Sequence, residues 1–325
     1  MTGGGKMTRK ERIEATLEFK QPDRPPHFEQ LFEISLETFG MDFPAGEEFE
    51  KATGKNRKML FEQTALLYAK IIEEFNWDAV AVCPPVVPAP YDDPDHYAYK
   101  FILFLKDYLK TYFKEEIPVG AFIWGSLICI DTIKDYVEFT VDLFENREKL
   151  HNWAETMCTD SLKHAKQLID AGVDFIDIAS DHAFNKGTFL SPGDFADLVT
   201  PYMKGLTSFI QSQGKWVIMH TDGDIMGILD QILDIKPDVL QSIDPMAGMD
   251  IKEIKKQTYG KIALMGNVQC SYVQSGPPEK IIESSKYCLE HGSPGGGYIF
   301  SSSNTIFKGV PLKNYRIMLD CLMKG

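Results

Sequence analysis

The segment His220-Thr221-Asp222-Gly223 holds two potential metal ligands one residue apart. On an extended backbone, residues i and i+2 point the same way, so an imidazole and a carboxylate at this spacing share one face. Gly223 then lets the chain turn away at once. Either the two side chains hold one ion, or they form a hydrogen-bonded pair. Cys270 is a candidate third ligand, because zinc accepts nitrogen, sulfur and oxygen donors and keeps a position open when catalytic. The alternative for Cys270 is a small buried thiol. Asp181, beside His182, is a further ligand or a general acid or base; otherwise it heads an Asx turn next to a surface histidine.

These residues act together only if the chain gathers them. About eight short apolar, β-branched or aromatic runs end in polar residues, and helical spacing separates most of them. The runs cover 26–29, 78–83, 119–124, 175–179, 216–220, 239–244, 262–265 and 297–300. Helices are predicted over 57–75, 147–171, from Ser191-Pro192 through 202–213, over 250–259 and over 278–291. Ser191 is a suitable N-cap with Pro192 at the first helical position, and Gly172 a suitable C-terminal stop. Alternating strand and helix signals imply right-handed βα units and a parallel sheet. Eight units close naturally into a (β/α)8 TIM barrel, a single domain over 1–325. Residues 84–114, rich in aromatics, are too long for a simple loop and read as an insertion after the second strand, a lid or a plain helical insert.

In such a barrel the C-terminal strand ends converge on one cavity. The polar residues ending the runs are Glu29, Cys83, Ser126, Asp177, Asp181, His220, Asp222, Asp244, Asn267, Cys270, Ser302 and Asn304. Buried charges are costly unless paired or bound to a cation, so this many carboxylates with a histidine mark a site. No GxGxxG, Walker loop or serine elbow is present, and the glycines at 295–297 precede a strand instead of a helix, which makes a poor phosphate cradle.

The 325 residues are 44% hydrophobic and 25% charged, ample for a large core. A net charge of −13 argues against nucleic acid, anionic membranes and highly anionic substrates. No apolar run approaches the roughly 20 residues that span a bilayer. The first residues lack the apolar stretch of a signal peptide, and the six scattered cysteines form no CxxC pair. Reduced thiols and a cytoplasmic location are expected.

The sequence resembles the uroporphyrinogen decarboxylase superfamily, which also contains zinc-dependent, corrinoid-linked methyltransferases. The resemblance runs from Arg9-Lys10-Glu11-Arg12 and Pro22-Asp23-Arg24-Pro25-Pro26 to Asn314-Tyr315. It is most specific at Leu190-Ser191-Pro192 with Tyr202, at 220–223, at Gly266-Asn267-Val268 and at Ser302-Ser303-Asn304. It implies the same barrel. Decarboxylases of the family carry an arginine-rich signature for a polycarboxylate substrate. The corresponding stretch, Phe28-Glu29-Gln30-Leu31-Phe32-Glu33-Ile34, has no arginine and two acids, and one like-charge contact at about 4 Å costs several kcal/mol.

The family's thiol-directed methyltransferases resemble a His-x-Cys plus a later Cys around zinc. Here those positions hold His220, Asp222 and a serine among 301–303. Carboxylate and imidazole ligands leave a stronger Lewis acid than thiolates do, suited to an ether oxygen. The resemblance therefore points toward the donor-side methyltransferases of O-demethylase systems, which pass a methyl group to the cobalt of a partner corrinoid protein. On that reading His220, Asp181 and Asp222 are catalytic, and His220, Asp222 and Cys270 hold zinc. Glu29, Cys83, Trp124, Asn267, Ser302 and Asn304 line the site of a small methyl donor, probed by the aromatic walls Phe122, Trp124 and Tyr298 where these do not simply pack the core. A homodimer is compatible with this reading. The alternatives are a decarboxylase of a less anionic substrate, a methylcobalamin:thiol methyltransferase, and an idle barrel that only binds corrinoid proteins.

Overall fold

A computed structural model describes residues 6–82, 93, 95–125 and 127–324. Seven of the apolar runs are strands: β1 Val80–Val82, β2 Val119–Trp124, β3 Phe175–Ala179, β4 Trp216–Thr221, β5 Val239–Ser242, β6 Ala263–Val268 and β7 Tyr298–Ser302. They form one sheet in chain order, every neighbouring pair parallel. Almost every strand residue is buried, as a sheet covered by helices requires.

The first run departs from the eight-strand expectation. It makes a single parallel bridge, His27 with Phe300. The reason is local: Pro25 and Pro26 have no N–H to offer a ladder, and His27 N donates at 2.7 Å to the Asp78 carboxylate instead of to a strand. The run still meets both ends of the sheet. Pro26 O accepts from Phe300 N of β7 at 2.8 Å, and His27 O accepts from Asp78 N just before β1 at 2.7 Å. The sheet is thus curled, with its ends brought to the same short segment.

Inside the curl, Phe28, Phe122 and Phe175 are almost wholly buried, and Phe175 stacks on Trp216 with ring centroids 4.1 Å apart. Gly120 on β2 makes room for this layer: a Cβ there would lie 2.3 Å from the Phe175 ring.

Most predicted helices are present, as Gly54–Phe75, Arg147–Asp170, Ile251–Thr258 and Pro278–Gly292. Gly172, at φ +88°, follows the second of these where a left-handed residue ends a helix. The helix opened by Ser191 is in fact two, Pro192–Leu198 and Thr200–Ser212, broken at Val199. Pro201 causes the break, because it cannot donate to the carbonyl four residues earlier and its ring crowds that turn. Ser191 caps as expected, accepting from Asp194 N at 3.1 Å.

Of the segment 84–114, the aromatics from Tyr97 onward lie on a helix, Tyr97–Phe113, between β1 and β2. Its Phe101 and Phe104 pack on Phe61 of Gly54–Phe75, at 5.2 and 5.6 Å between centroids. That is an ordinary crossover helix; residues 84–92 lie outside those described. No helix among the described residues is long and apolar enough to cross a membrane. The cysteines among them, Cys129, Cys158, Cys270, Cys288 and Cys321, are all free thiols.

Candidate active site

Parallel pairing sets which polar residues meet at the C-terminal end of the sheet. Ala179 of β3 lies opposite His220 of β4, and His220 lies opposite Gln241 of β5. Gln241 Oε1 pairs with His220 Nδ1, which orients the ring so that Nε2 faces Asp181 Oδ1 at 3.6 Å. The same Asp181 oxygen accepts from Asp222 N at 2.9 Å, and Asp222 Oδ2 accepts from Asn304 Nδ2. Gly223 is required by contact as well as by its φ of +89°: a Cβ there would sit 2.6 Å from the Ala183 carbonyl. The turn after β4 therefore lies directly against the loop after β3, and His182 N donates to Thr221 Oγ1 at 3.0 Å across the same junction.

Asp181, His220 and Asp222 each offer one ligand atom, and these atoms lie within 4.8 Å of one another. Asp222 Oδ1 is buried without a hydrogen-bond partner among the described residues. One imidazole nitrogen and two carboxylates suit zinc or a harder divalent ion, and an unpaired buried oxygen beside them is what a cation would satisfy. The residues present fit a metal.

The charges are arranged to the same end. Burial opposes protonation of His220, but Asp222, Asp181 and Asp177 outweigh it and raise its pKa above the usual value. Burial raises the Asp222 carboxyl, offset in part by His220. Burial lifts Asp177, wholly enclosed on β3, to about 7, and Glu29 to about 8. Asp131, on the loop after β2, is raised by burial and then by Asp181, which places a further carboxyl at this cluster. No lysine or arginine is ion-paired with Asp177, Asp181 or Asp222 among the described residues.

Of the other expected residues, Asn304 joins the cluster through Asp222. Trp124, at the end of β2, is 47% exposed and stacks on Phe122 at 4.8 Å. Tyr298 is a core residue, its hydroxyl donating to Gly266 O at 2.5 Å. Glu29 and Ser302 find each other: Ser302 Oγ donates to Glu29 Oε2 at 2.8 Å and Ser302 N at 3.1 Å, both residues fully buried.

Asn267 is engaged elsewhere, and Cys270 stands apart from the three grouped ligand atoms. The Asn267 amide is engaged by Ile243 O at 2.8 Å and by the Cys288 thiol at 3.2 Å, both outside the cluster. Cys270 begins the helix Cys270–Ser275, and its thiol lies 4.0 Å from Met246 Sδ. Burial raises its pKa, and the Asp244 and Asp222 carboxylates add to the rise, so the thiol stands within the field of Asp222. Cys83 and Ser126 lie outside the described residues. Sequence reasoning missed Gln241 and Gln30, whose Nε2 donates to Asp177 Oδ2 at 2.7 Å. The available signal for Gln241 was one amide inside the apolar run 239–243.

The family model described as Uroporphyrinogen decarboxylase (URO-D) matches residues 85–324. Among solved structures, a methyltransferase from Methanosarcina mazei is 18% identical and shares the fold with a TM-score of 0.74, covering 98% of this chain and 99% of its own. The homocysteine methyltransferase MmuM from Escherichia coli covers 91% of this chain and 94% of its own at 8% identity, with a TM-score of 0.48. No curated protein matches the chain. With the family model spanning most of its length, the chain belongs to the uroporphyrinogen decarboxylase family.

Proposed function

We propose that this protein is a methyltransferase that moves a methyl group from a small donor, a methoxylated aromatic, to the cobalt of a corrinoid carried by a partner protein. The observation that carries the reading is the cluster of Asp181, His220 and Asp222, a one-nitrogen, two-oxygen donor set at the strand ends. A set without thiolates favours polarising an ether oxygen over activating a thiol.

In the proposed reaction the O–CH3 bond breaks with its electron pair left on the aryl oxygen, and the reduced corrinoid provides the pair for the new bond to carbon. The departing aryl oxide needs a proton or a positive charge. A bound divalent ion would provide Lewis acidity for that oxygen; Asp181, His220 and Asp222 would hold it. Without an ion His220 would serve as the acid instead, because neighbouring carboxylates favour its charged form and Gln241 fixes Nδ1, leaving Nε2 either to hold the ion or to deliver the proton. Asp181, whose side chain is 33% exposed, is the group through which that proton is replaced from solvent.

Docking of a second protein has support at the same end. Trp124 ends β2, and Leu36, Phe184, Met226 and Met246 lie on the segments that follow the first run, β3, β4 and β5; each is about half exposed. Exposed apolar side chains at the strand ends suit contact with a second protein.

The family model favours a second reading, a decarboxylase. Repulsion of a polycarboxylate does not come from Glu29, which faces Ser302; it comes from Asp131, Asp177, Asp181 and Asp222, with no arginine at 28–34 to oppose them. The test is methylation of reduced cobalamin, followed spectroscopically, with the metal content of the same preparation. His220→Ala is expected to lower the rate by about 10²–10⁴-fold with the fold intact. Unchanged turnover in that variant, or carbon dioxide release from a carboxylated substrate, overturns the proposal.

A further inference from the structure

Two polar atoms flanking His220 are left unmatched inside the sheet. Asp177 and Gln241 are both fully buried. Asp177 Oδ2 is held by Gln30 Nε2 at 2.7 Å, yet Oδ1 has no partner among the described residues. Gln241 Oε1 is held by the His220 ring, yet Nε2 has none. Buried polar atoms without partners are rare in folded proteins. Here one is an acceptor and the other a donor, on the strands either side of β4: Asp177 lies opposite Ile218, and Gln241 opposite His220 two residues further along that strand.

Resting on the reading above, we propose that Asp177 and Gln241 determine which methyl donors are used. The hydroxyl of an uncharged methoxyphenol donates to Asp177 Oδ1, and Gln241 Nε2 donates to an oxygen of the same molecule. A donor bearing a carboxylate is turned away. Asp177, Asp181, Asp222 and Asp131 surround the position, and no lysine or arginine is paired with the first three among the described residues. Four carboxylates outweigh one divalent ion or one charged His220, so an anion brought here loses its water in a field that stays negative. A donor without the hydroxyl leaves Asp177 Oδ1 unpaired in the complex, which sites built for a hydroxyl discriminate against strongly.

Three donors separate these effects: 2-methoxyphenol, methoxybenzene without the hydroxyl, and 4-hydroxy-3-methoxybenzoate with an added carboxylate. The wild-type protein is expected to show a kcat/KM for 2-methoxyphenol on the order of 10²-fold above either comparison compound. Asp177→Asn, nearly isosteric, puts an amide where a carboxylate stood. It is expected to shrink both preferences by about tenfold, while the melting temperature stays near that of the parent.

Equal loss of rate with all three donors gives Asp177 a structural role only and overturns the proposal. So does wild-type use of the benzoate as readily as the phenol, a result that needs no variant. Calorimetric binding of the three compounds, without any corrinoid, isolates the inference from the reading beneath it. Selective binding of 2-methoxyphenol with no methyl transfer sinks the methyltransferase reading and keeps the subsite; transfer without selectivity does the reverse.

Discussion

Two groups of carboxylates stand at opposite ends of the sheet and are treated in opposite ways. At the N-terminal end Asp78 is fully buried and completely matched. Arg12 Nη1 reaches Oδ1 at 2.6 Å, Arg24 Nη1 reaches Oδ2 at 2.7 Å, and His27 N adds a third bond at 2.7 Å. Arg12, itself 3% exposed, is held further by Asp23 at 2.7 Å. At the C-terminal end Asp177 and Asp222 each keep one buried oxygen with no partner among the described residues. The sequence motifs 9–12 and 22–26 thus serve to tie the first helix, Arg9–Leu17, to the start of β1. One residue type does two jobs, and the presence or absence of a matched cation tells them apart.

The largest expected effect tests the matched end. Asp78→Ala leaves Arg12 buried beside an empty position and strips His27 N of its acceptor. Breaking a buried pair by removing one partner costs about 3–5 kcal/mol, so chemical denaturation should show a loss of that size or no folded protein. A loss below about 0.5 kcal/mol, the range of surface substitutions, would mean that the network contributes little and that the contrast between the two ends is not one of stability.

The converse substitution sharpens the contrast. Asp222→Asn keeps the shape, removes a buried charge whose Oδ1 is unpaired, and lowers the field that favours charged His220. Stability is expected to hold or rise by up to about 1 kcal/mol, as happens when a functional site's strain is relieved. Cobalamin methylation should fall by about 10²-fold, and bound metal should be lost. Destabilisation comparable to Asp78→Ala would place Asp222 among the structural carboxylates.

Much of this architecture was legible in the residues. Seven strands fall where apolar runs end in polar residues, because a strand buried on both faces must be apolar until it emerges. Asp181, His220 and Asp222 were readable for the same reason. The first run misled because its composition suits a strand while Pro25 and Pro26 remove the donors, and the break at Val199 followed from Pro201. Cys270 and Asn267 could not be placed from spacing, since turns after a strand decide where a side chain points. Gln30 was hidden for a different reason: its partner Asp177 is 147 residues away, and only the curled sheet makes them neighbours.

Glu29 gives the smallest effect and the finest division between the two ends. It has no cation, as at the active-site end, but its oxygens are matched by Ser302, as at the other. Burial lifts its folded-state pKa to about 8, against about 4.3 in an unfolded chain. As pH rises from about 4 toward 8, the unfolded chain has released this proton and the folded protein still holds it, so stability declines through that window and levels off above it. Asp177, at about 7, adds to the same slope. Glu29→Gln removes the ionisation and keeps an acceptor for Ser302 N, while the Ser302 hydroxyl can accept from the new amide. Denaturation at pH 5 and pH 8 should show the parent losing stability on the order of 1–3 kcal/mol more than the variant. An identical pH dependence in the two proteins would mean that Glu29 is ionised in the fold, and that Ser302 alone suffices to stabilise a buried charge without a cation.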